Sequence, residues 1–159
     1  MKTLYLVRHA KAVERKADQE DFGRTLIKRG EKDAKQVAGH LADLRAKPDL
    51  ILTSPASRAL DTARIFAASL EYSSKRIRRR KALYDGPAST LYDILRTSGD
   101  DCDQVVLVGH DPALTDLASF LAPEFHRDIP TSGVVTPTPR VRFAADFRKV
   151  PSKTPRILS

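Results

Sequence analysis

The feature that most constrains the fold of this chain is a short apolar run near its N-terminus. Residues 4–7 read Leu-Tyr-Leu-Val, and Arg8 and His9 follow at once. A continuous apolar run of this length is typical of a central strand covered on both faces, which would not continue through Arg8 and His9. We expect these two residues just past the C-terminal end of a buried strand, where ligands bind in open α/β sheets. The alternative is a strand that leaves the core into a solvated basic turn.

Length and composition restrict the class of protein. A chain of 159 residues suits one domain with its own hydrophobic core. The apolar runs are too short to cross a bilayer, and the N-terminus lacks the apolar region and cleavage site of a signal peptide. The single cysteine, Cys102, excludes an internal disulfide and a Cys-rich metal site. We predict a cytoplasmic protein that does not contact membranes.

The charge of the chain indicates the chemistry of its partners. A formal net charge of +8 favours anionic partners, either phosphorylated substrates or nucleic acid. The densest basic run, residues 75–81, has no interleaved aromatic residues and belongs to no recognisable nucleic-acid-binding module. We therefore predict a solvated edge strand in this run and consider nucleic acid an improbable partner.

Strand and helix patterns alternate along the chain. Apolar runs at residues 49–53 and 105–108 predict two further buried strands, and the basic run leading into Ala82–Asp85 predicts another. Helical spacing of apolar residues fills the segments after the strands. This order predicts an α/β fold: a single-domain three-layer αβα sandwich with a mostly parallel, doubly wound sheet and no lid domain.

Helix boundaries are predicted from apolar spacing and from residues that favour helix ends. The first helix is expected from Glu31 and closes before Pro48, with an inward stripe of Ala34, Val37, Ala38, Leu41 and Leu44. Ser54 is expected as the N-cap of the second helix and Pro55 as its first residue. Gly86-Pro87 and Asp111-Pro112 are expected to open two later helices.

The C-terminal part has a weaker pattern. Val134–Thr136 resembles a strand, Pro137 and Pro139 interrupt it, and an alternating pattern resumes at Val141, which suggests an edge strand or a bulge. We predict a domain over residues 1–147 and a basic, mobile tail over residues 148–159.

Two arginines and two histidines follow the predicted strand ends. Arg8 and His9 follow the first strand, Arg58 lies one helical turn beyond the second, and His110 follows the strand at 105–108. In a parallel sheet these residues share one edge. Paired guanidiniums suit the oxygens of a phosphate, and helix N-termini attract anions. An imidazole in line with the phosphorus can form a covalent phosphohistidine.

A zinc site built from His9 and His110 is the competing chemical interpretation. No carboxylate or thiolate stands at ligand spacing beside either histidine, and two arginines would repel the cation. We expect neither a metal nor a cofactor.

Three motifs in this order resemble the histidine phosphatase superfamily: Leu-Val-Arg8-His9-Ala-Lys, Ser54-Pro-Ala-Ser-Arg58-Ala-x-x-Thr62-Ala and Val108-Gly109-His110-Asp-Pro. The short chain and Asp21-x-x-Arg24-x-Leu26-x-x-x-Gly30 are most similar to SixA-like phosphohistidine phosphatases. The resemblance covers about residues 1–133. It implies that His9 is the nucleophile, that Arg8, Arg58 and His110 form a phosphate pocket, and that Arg24 borders this pocket.

The chain departs from the family pattern in places. Ala10 stands where glycine is commoner, and the proline-broken segment after Thr136 replaces an expected continuous strand. Larger relatives carry a glutamate as general acid after a leucine near residue 85, where this chain offers Asp85. Asp85 is either the general acid or a cap for the helix that Gly86-Pro87 begins.

These observations predict a metal-independent phosphatase that works through a phosphohistidine on His9. Because no insertion remains to build a lid, we expect an open site that admits phosphohistidine or another phosphorylated protein side chain. The alternatives are a small-molecule phosphomonoesterase of the same superfamily and a non-catalytic protein that binds phosphoanions or nucleic acid. The sequence leaves the physiological substrate and the oligomeric state open.

Overall fold

A six-stranded sheet forms the centre of the protein. The computed structural model describes residues 3–98, 101–137 and 156–158. The strands are β1 (Thr3–Arg8), β2 (Leu50–Thr53), β3 (Arg78–Arg79), β4 (Gln104–Gly109), β5 (Val134–Thr136) and β6 (Arg156–Leu158), in the order β3-β2-β4-β1-β5-β6. Pairing is parallel from β3 through β2 and β4 to β1, and β5 and β6 are antiparallel. The predicted mostly parallel sheet is confirmed.

Helices cover both faces of the sheet. The helices are α1 (Lys28–Asp43), α2 (Ser57–Ser69), α3 (Ala82–Asp85), α4 (Ala88–Ser98) and α5 (Ala113–Leu121). Helices α1 and α2 pack together on one face, and α4 and α5 on the other. This arrangement confirms the three-layer αβα sandwich. Within the described ranges, no helix has the length and apolar character needed to cross a membrane.

Alternating side chains divide the core into two clusters. Leu4 and Leu6 of β1 belong to the cluster under α4 and α5, whereas Val7 belongs to the cluster under α1 and α2. In the same way Leu50 and Leu52 of β2 face one cluster and Ile51 the other. Successive strand residues point to opposite faces. Continuous apolar strands are stable here because neither face meets water.

Strand register brings the chemical groups to one edge. Arg8 at the end of β1 pairs with Gly109 at the end of β4, and Thr53 at the end of β2 pairs with Val108. The three strands therefore end side by side. The residues that follow them share the C-terminal edge of the sheet, as the sequence predicted.

Two predicted helix boundaries are wrong. Helix α2 begins at Ser57 with Ala56 as its N-cap, because Ser54 and Pro55 form a separate turn in which Ser54 Oγ accepts the Ala56 N–H at 3.2 Å. Leu44 was expected in the inward stripe of α1, but it is 59% exposed. The helix ends at Asp43, so Leu44 no longer follows the helical stripe.

The segment after the basic run is helical rather than extended. The predicted edge strand exists as β3, whose two arginines are exposed. Ala82–Asp85 was expected to continue a strand, but it forms α3, closed by a bond from the Gly86 N–H to the Ala82 oxygen at 3.0 Å. The helical turn lets Leu83 enter the core beside α4.

The predicted C-terminal strand Val134–Thr136 is confirmed as β5. It runs antiparallel to β1. The interruption at Pro139 and the pattern from Val141 lie outside the described residues. The domain boundary at residue 147 and the mobile tail over residues 148–159 stay predictions. Within that tail the structure describes Arg156–Leu158, which forms β6 antiparallel to β5.

Candidate active site

The imidazole of His9 is held in place by a hydrogen bond at each of its two ring nitrogens. Its Nδ1 lies 2.8 Å from the carbonyl oxygen of Ala10, which can only accept a hydrogen bond, so Nδ1 carries the proton. Its Nε2 therefore carries the unprotonated lone pair, which accepts a hydrogen bond from Arg58 Nε–H at 3.3 Å. The Ala10 N–H donates to Thr62 Oγ1 at 2.9 Å and ties the segment after His9 to α2.

Arg58 is buried at the start of α2 and is held from three directions. Besides the bond to His9, its Nη1 donates to the main-chain oxygen of Asp21 at 2.7 Å and its Nη2 to Asp21 Oδ2 at 2.8 Å. The side chain is 6% exposed. A planar guanidinium fixed in this way presents its remaining N–H groups in a defined plane, which a lysine could not do.

Asp21 connects the pocket to its rim. Its Oδ1 pairs with Arg24, with nitrogen-to-oxygen distances of 2.8 and 2.9 Å, and its Oδ2 accepts the hydroxyl of Tyr84 at 2.9 Å. Arg24 Nη1 also donates to the Val13 oxygen at 3.0 Å. Arg24 is therefore connected to Arg58 through Asp21, and its role at the border of a phosphate pocket stays a prediction.

The start of α1 packs closely against the segment that follows His9, at Gly30. A Cβ at Gly30 would overlap the carbonyl oxygen of Lys11. The same oxygen accepts the Ile27 N–H at 3.1 Å. Gly30 thus allows α1 to begin directly against the segment that follows His9, which explains the glycine in the motif.

Arg8 directly precedes His9 and is held by residues from the C-terminal part of the chain. Its Nη1 donates to the Ile129 oxygen at 2.8 Å and lies 3.4 Å from Asp111 Oδ2. Its Nε is buried and has no acceptor among the described residues. A buried N–H of this kind suits an anionic oxygen, because an unsatisfied buried donor is costly.

His110 follows β4 and contacts both His9 and the turn before α2. Its ring centroid lies 5.1 Å from that of His9, and its Nε2 lies 2.8 Å from Ser54 Oγ. His110 is 9% exposed and Ser54 is fully buried. The predicted cap Ser54 therefore serves the site, which the sequence pattern did not indicate.

Burial keeps both imidazoles neutral. Burial lowers the pKa of His9 from 6.5 to about 4, and nearby guanidiniums, Arg58 foremost, reinforce this against the opposing hydrogen bond to Ala10. Burial, then the neighbouring His9, lowers the pKa of His110 to about 3. Neutral pH therefore leaves a nucleophilic lone pair on His9.

The carboxylate of Asp21 is ionised at neutral pH. Burial would raise its pKa, but hydrogen bonds from Arg58 and Tyr84 lower it well below the usual range. Burial, and then the bond to Asp21, raises the pKa of Tyr84. The Asp21–Tyr84 pair therefore holds one proton on the phenol and one negative charge on the carboxylate.

The structure brings together Arg8, His9, Arg24, Arg58 and His110. It does not bring in Asp85, which is exposed on α3 and forms no hydrogen bond or ion pair with these side chains in the described part of the chain. Its neighbour Tyr84 faces the site. Sequence reasoning gave Asp21, Ser54 and Tyr84 no role in the site itself. The spacing Asp21-x-x-Arg24 and an aromatic residue beside Asp85 were the signals available.

Metal-ligating side chains are not clustered in the described residues. No group of three His, Cys, Asp or Glu side chains there could hold a metal ion. His9 and His110 are instead accompanied by guanidiniums.

Comparison with known proteins assigns the family. The model of the histidine phosphatase superfamily (branch 1) matches residues 4–85. The chain belongs to the histidine phosphatase superfamily. An uncharacterized protein of Picosynechococcus sp. is 34% identical over 119 residues, which are 75% of this chain and 72% of that protein.

Solved structures of this superfamily share the fold. The SixA protein of Agrobacterium tumefaciens is 28% identical, with a TM-score of 0.74 over 85% of this chain and 90% of that chain. A protein histidine phosphatase SixA complexed with tungstate is 22% identical, with a TM-score of 0.76 over 84% and 86%. A mycobacterial glucosyl-3-phosphoglycerate phosphatase is 17% identical, with a TM-score of 0.65 over 85% and 89%. The protein of this sequence is a SixA-like phosphatase.

Proposed function

We propose that this phosphatase is metal-independent, uses His9 as its nucleophile and acts on phosphohistidine or another phosphorylated protein side chain. The observation that carries the mechanism is the state of the His9 ring. The Ala10 oxygen holds the proton on Nδ1, and Nε2 keeps its lone pair 3.3 Å from Arg58 Nε. An oriented, neutral imidazole beside guanidiniums suits attack on a phosphoryl group.

Transfer proceeds in two steps. In the first, His9 Nε2 bonds to phosphorus while the bond to the leaving oxygen or nitrogen breaks, and the leaving atom keeps the electron pair. In the second, water attacks phosphorus, the phosphorus–Nε2 bond breaks and its electron pair returns to His9, while the proton of the water passes to solvent. Arg8, Arg58 and His110 surround the phosphoryl oxygens and stabilise the charge spread over them, and Arg24 borders them.

The remaining role in this chemistry is that of the general acid. An ionised Asp21 cannot donate a proton, and Asp85 is exposed. Asp85 stays a prediction for this role. A site without a strong acid favours leaving groups that depart with little protonation.

Exposed cations beside the site support a protein substrate. The Arg80 N–H donates to the Thr53 oxygen at 2.9 Å, so Arg80 and Lys81, both exposed, lie at the same sheet edge as Ser54. Positive charge there would steer an acidic protein surface toward His9. One structural relative is named as a protein histidine phosphatase, and another as a phosphatase of a small sugar phosphate. The small-molecule alternative therefore belongs in the test.

The test combines trapping with a substrate panel. Rapid quench should leave acid-labile, base-stable phosphate on His9 and none on a His9→Ala variant. A chelator should leave turnover intact, and tungstate should inhibit competitively. Phosphohistidine, phosphoserine and phosphotyrosine proteins are compared with sugar phosphates and nucleotides, and we expect the highest kcat/KM on a phosphorylated protein. Tenfold preference for one small metabolite, about 1.4 kcal/mol, would contradict the protein substrate and leave the mechanism standing.

A further inference from the structure

Four aromatic rings stand in series from His9 to the protein surface. The ring centroids of His9 and His110 are 5.1 Å apart, those of His110 and Tyr84 are 5.4 Å apart, and those of Tyr84 and Phe22 are 5.3 Å apart. The last two contacts are edge-to-face, with interplanar angles of 87° and 76°. These separations lie in the range of favourable aromatic pairs. We call these four residues the aromatic row.

Phosphate binding explains only the inner half of the aromatic row. Phosphoryl oxygens need cations and N–H groups, which the arginines and His110 supply. Phe22 offers no polar group, and it is 40% exposed in the turn that carries Asp21. The Tyr84 hydroxyl is occupied by Asp21 at 2.9 Å, which fixes the ring rather than freeing it for an oxyanion. The outer half of the row therefore has another use.

Tyr84 touches both flanks of the site. Its hydroxyl bonds to the carboxylate that holds Arg58, and its ring meets His110, which meets His9. A group that extends outward from a phosphorus atom near His9 would pass along this ring toward Phe22. Flat aromatic groups gain most from such a surface, because edge-to-face and offset stacking both require a ring.

We propose that Tyr84 and Phe22 form a leaving-group subsite that selects planar aromatic leaving groups. The inference rests on phosphoryl transfer to His9 and deepens it. The class comprises the imidazole of phosphohistidine and the phenol of aryl phosphates. As the His9 Nε2–phosphorus bond forms, the bond from phosphorus to the ring nitrogen or phenolic oxygen breaks. That atom keeps the electron pair and takes its proton from solvent water.

The protonation state of the neighbouring groups supports the same class. Asp21 holds no proton to give, and the Tyr84 hydroxyl keeps its proton while it donates a hydrogen bond to Asp21. Phenols depart with less help from an acid than alkyl alcohols do, and a phosphorylated imidazole that carries a proton on its second ring nitrogen departs as a neutral ring. The rings thus provide contact for those leaving groups that the site can release.

The experiment separates ring contact from leaving-group acidity. Values of kcat/KM are measured for a phosphohistidine peptide, p-nitrophenyl phosphate and acetyl phosphate, whose leaving group is good but not aromatic. Phe22→Leu should lower kcat/KM about three- to tenfold on the two ring substrates and leave acetyl phosphate unchanged. Phe22→Tyr keeps a ring and should retain the wild-type ratio. Phe120→Leu replaces an exposed phenylalanine outside the aromatic row and is the matched control.

A second variant pair tests the inner ring. Tyr84→Phe keeps the ring and should keep the preference for ring substrates, whereas Tyr84→Leu should lose it. An equal loss on acetyl phosphate and the ring substrates in Phe22→Leu, or no loss on any of them, would overturn the subsite while phosphoryl transfer to His9 stands. Absence of turnover and of phosphorylated His9 in the wild-type protein would instead refute the proposed function, and the subsite with it.

Discussion

The phosphoryl pocket and its rim are built in different ways. His9 and His110 follow strands whose register is fixed by parallel pairing, and Arg58 begins a helix packed on the same sheet. The rim consists of the short turn Asp21–Gly23 and the helix α3, both of which expose side chains to solvent. Burial sets the charge states in the pocket, whereas local turns decide which side chains form the proposed leaving-group subsite. Substitutions in the rim can therefore change the selectivity for the leaving group without changing the chemistry of the pocket.

The largest expected effect lies in the pocket. His9→Ala removes the attacking atom and should lower kcat by at least ~10³ while the fold survives. Turnover of p-nitrophenyl phosphate and far-ultraviolet circular dichroism measure the two quantities. His126→Ala, outside the site, serves as control. A correctly folded His9→Ala protein that keeps most of its activity would contradict the assignment of His9 as the nucleophile.

The second effect tests the geometry of the guanidinium. Arg58→Lys keeps the charge but cannot reproduce the planar contacts to His9 and Asp21, so kcat/KM should fall about 10²–10³-fold and tungstate should bind more weakly. Arg64→Lys on the exposed side of the same helix is the matched control and should change kcat/KM less than twofold. If Arg58→Lys behaves like Arg64→Lys, charge alone suffices in the pocket.

A pH titration of stability tests the buried imidazoles. The folded pKa values of His9 and His110, about 4 and about 3, lie below the unfolded value of 6.5. The unfolded chain therefore binds protons more readily than the folded protein. The free energy of unfolding should be highest above pH 6.5 and should fall as the pH decreases toward 4. Urea unfolding should show a loss on the order of 2 kcal/mol for each of the two imidazoles between pH 7 and 5.

The control for this titration is a His9→Gln, His110→Gln variant, in which the loss between pH 7 and 5 should be smaller. An equal loss in this variant and in the wild-type protein would place the acid sensitivity in other groups.

The smallest expected effect lies on the rim. Asp85 is exposed, so Asp85→Asn should lower kcat/KM less than about threefold on both aryl and alkyl phosphates. A general acid would instead contribute 10²–10⁴-fold, and most for the poorer alkyl leaving group. Steady-state kinetics on one substrate of each kind decide between these outcomes. A selective loss on the alkyl phosphate would make Asp85 the acid and extend the pocket chemistry to the rim.

The sequence by itself determined the sheet and the composition of the pocket. Continuous apolar strands such as residues 105–108 are predictable because parallel strands buried on both faces exclude polar side chains. Since such strands end at one edge, Arg8, His9, Arg58 and His110 could be expected together before any coordinates. The direction of the strands and their burial can both be predicted from local sequence, and they suffice for that inference.

Only the tertiary structure decided how the pocket is held and what surrounds it. Asp21 binds Arg58, 37 residues away, and Tyr84, 63 residues away, through one carboxylate. The family resemblance pointed to Asp85, and the local pattern predicted a capping role for Ser54. The helical turn of α3 and the turn before α2 instead aim Tyr84 and Ser54 at the site. Such choices depend on the relative placement of short segments, because contacts between residues distant in the chain leave no periodic signal in the sequence.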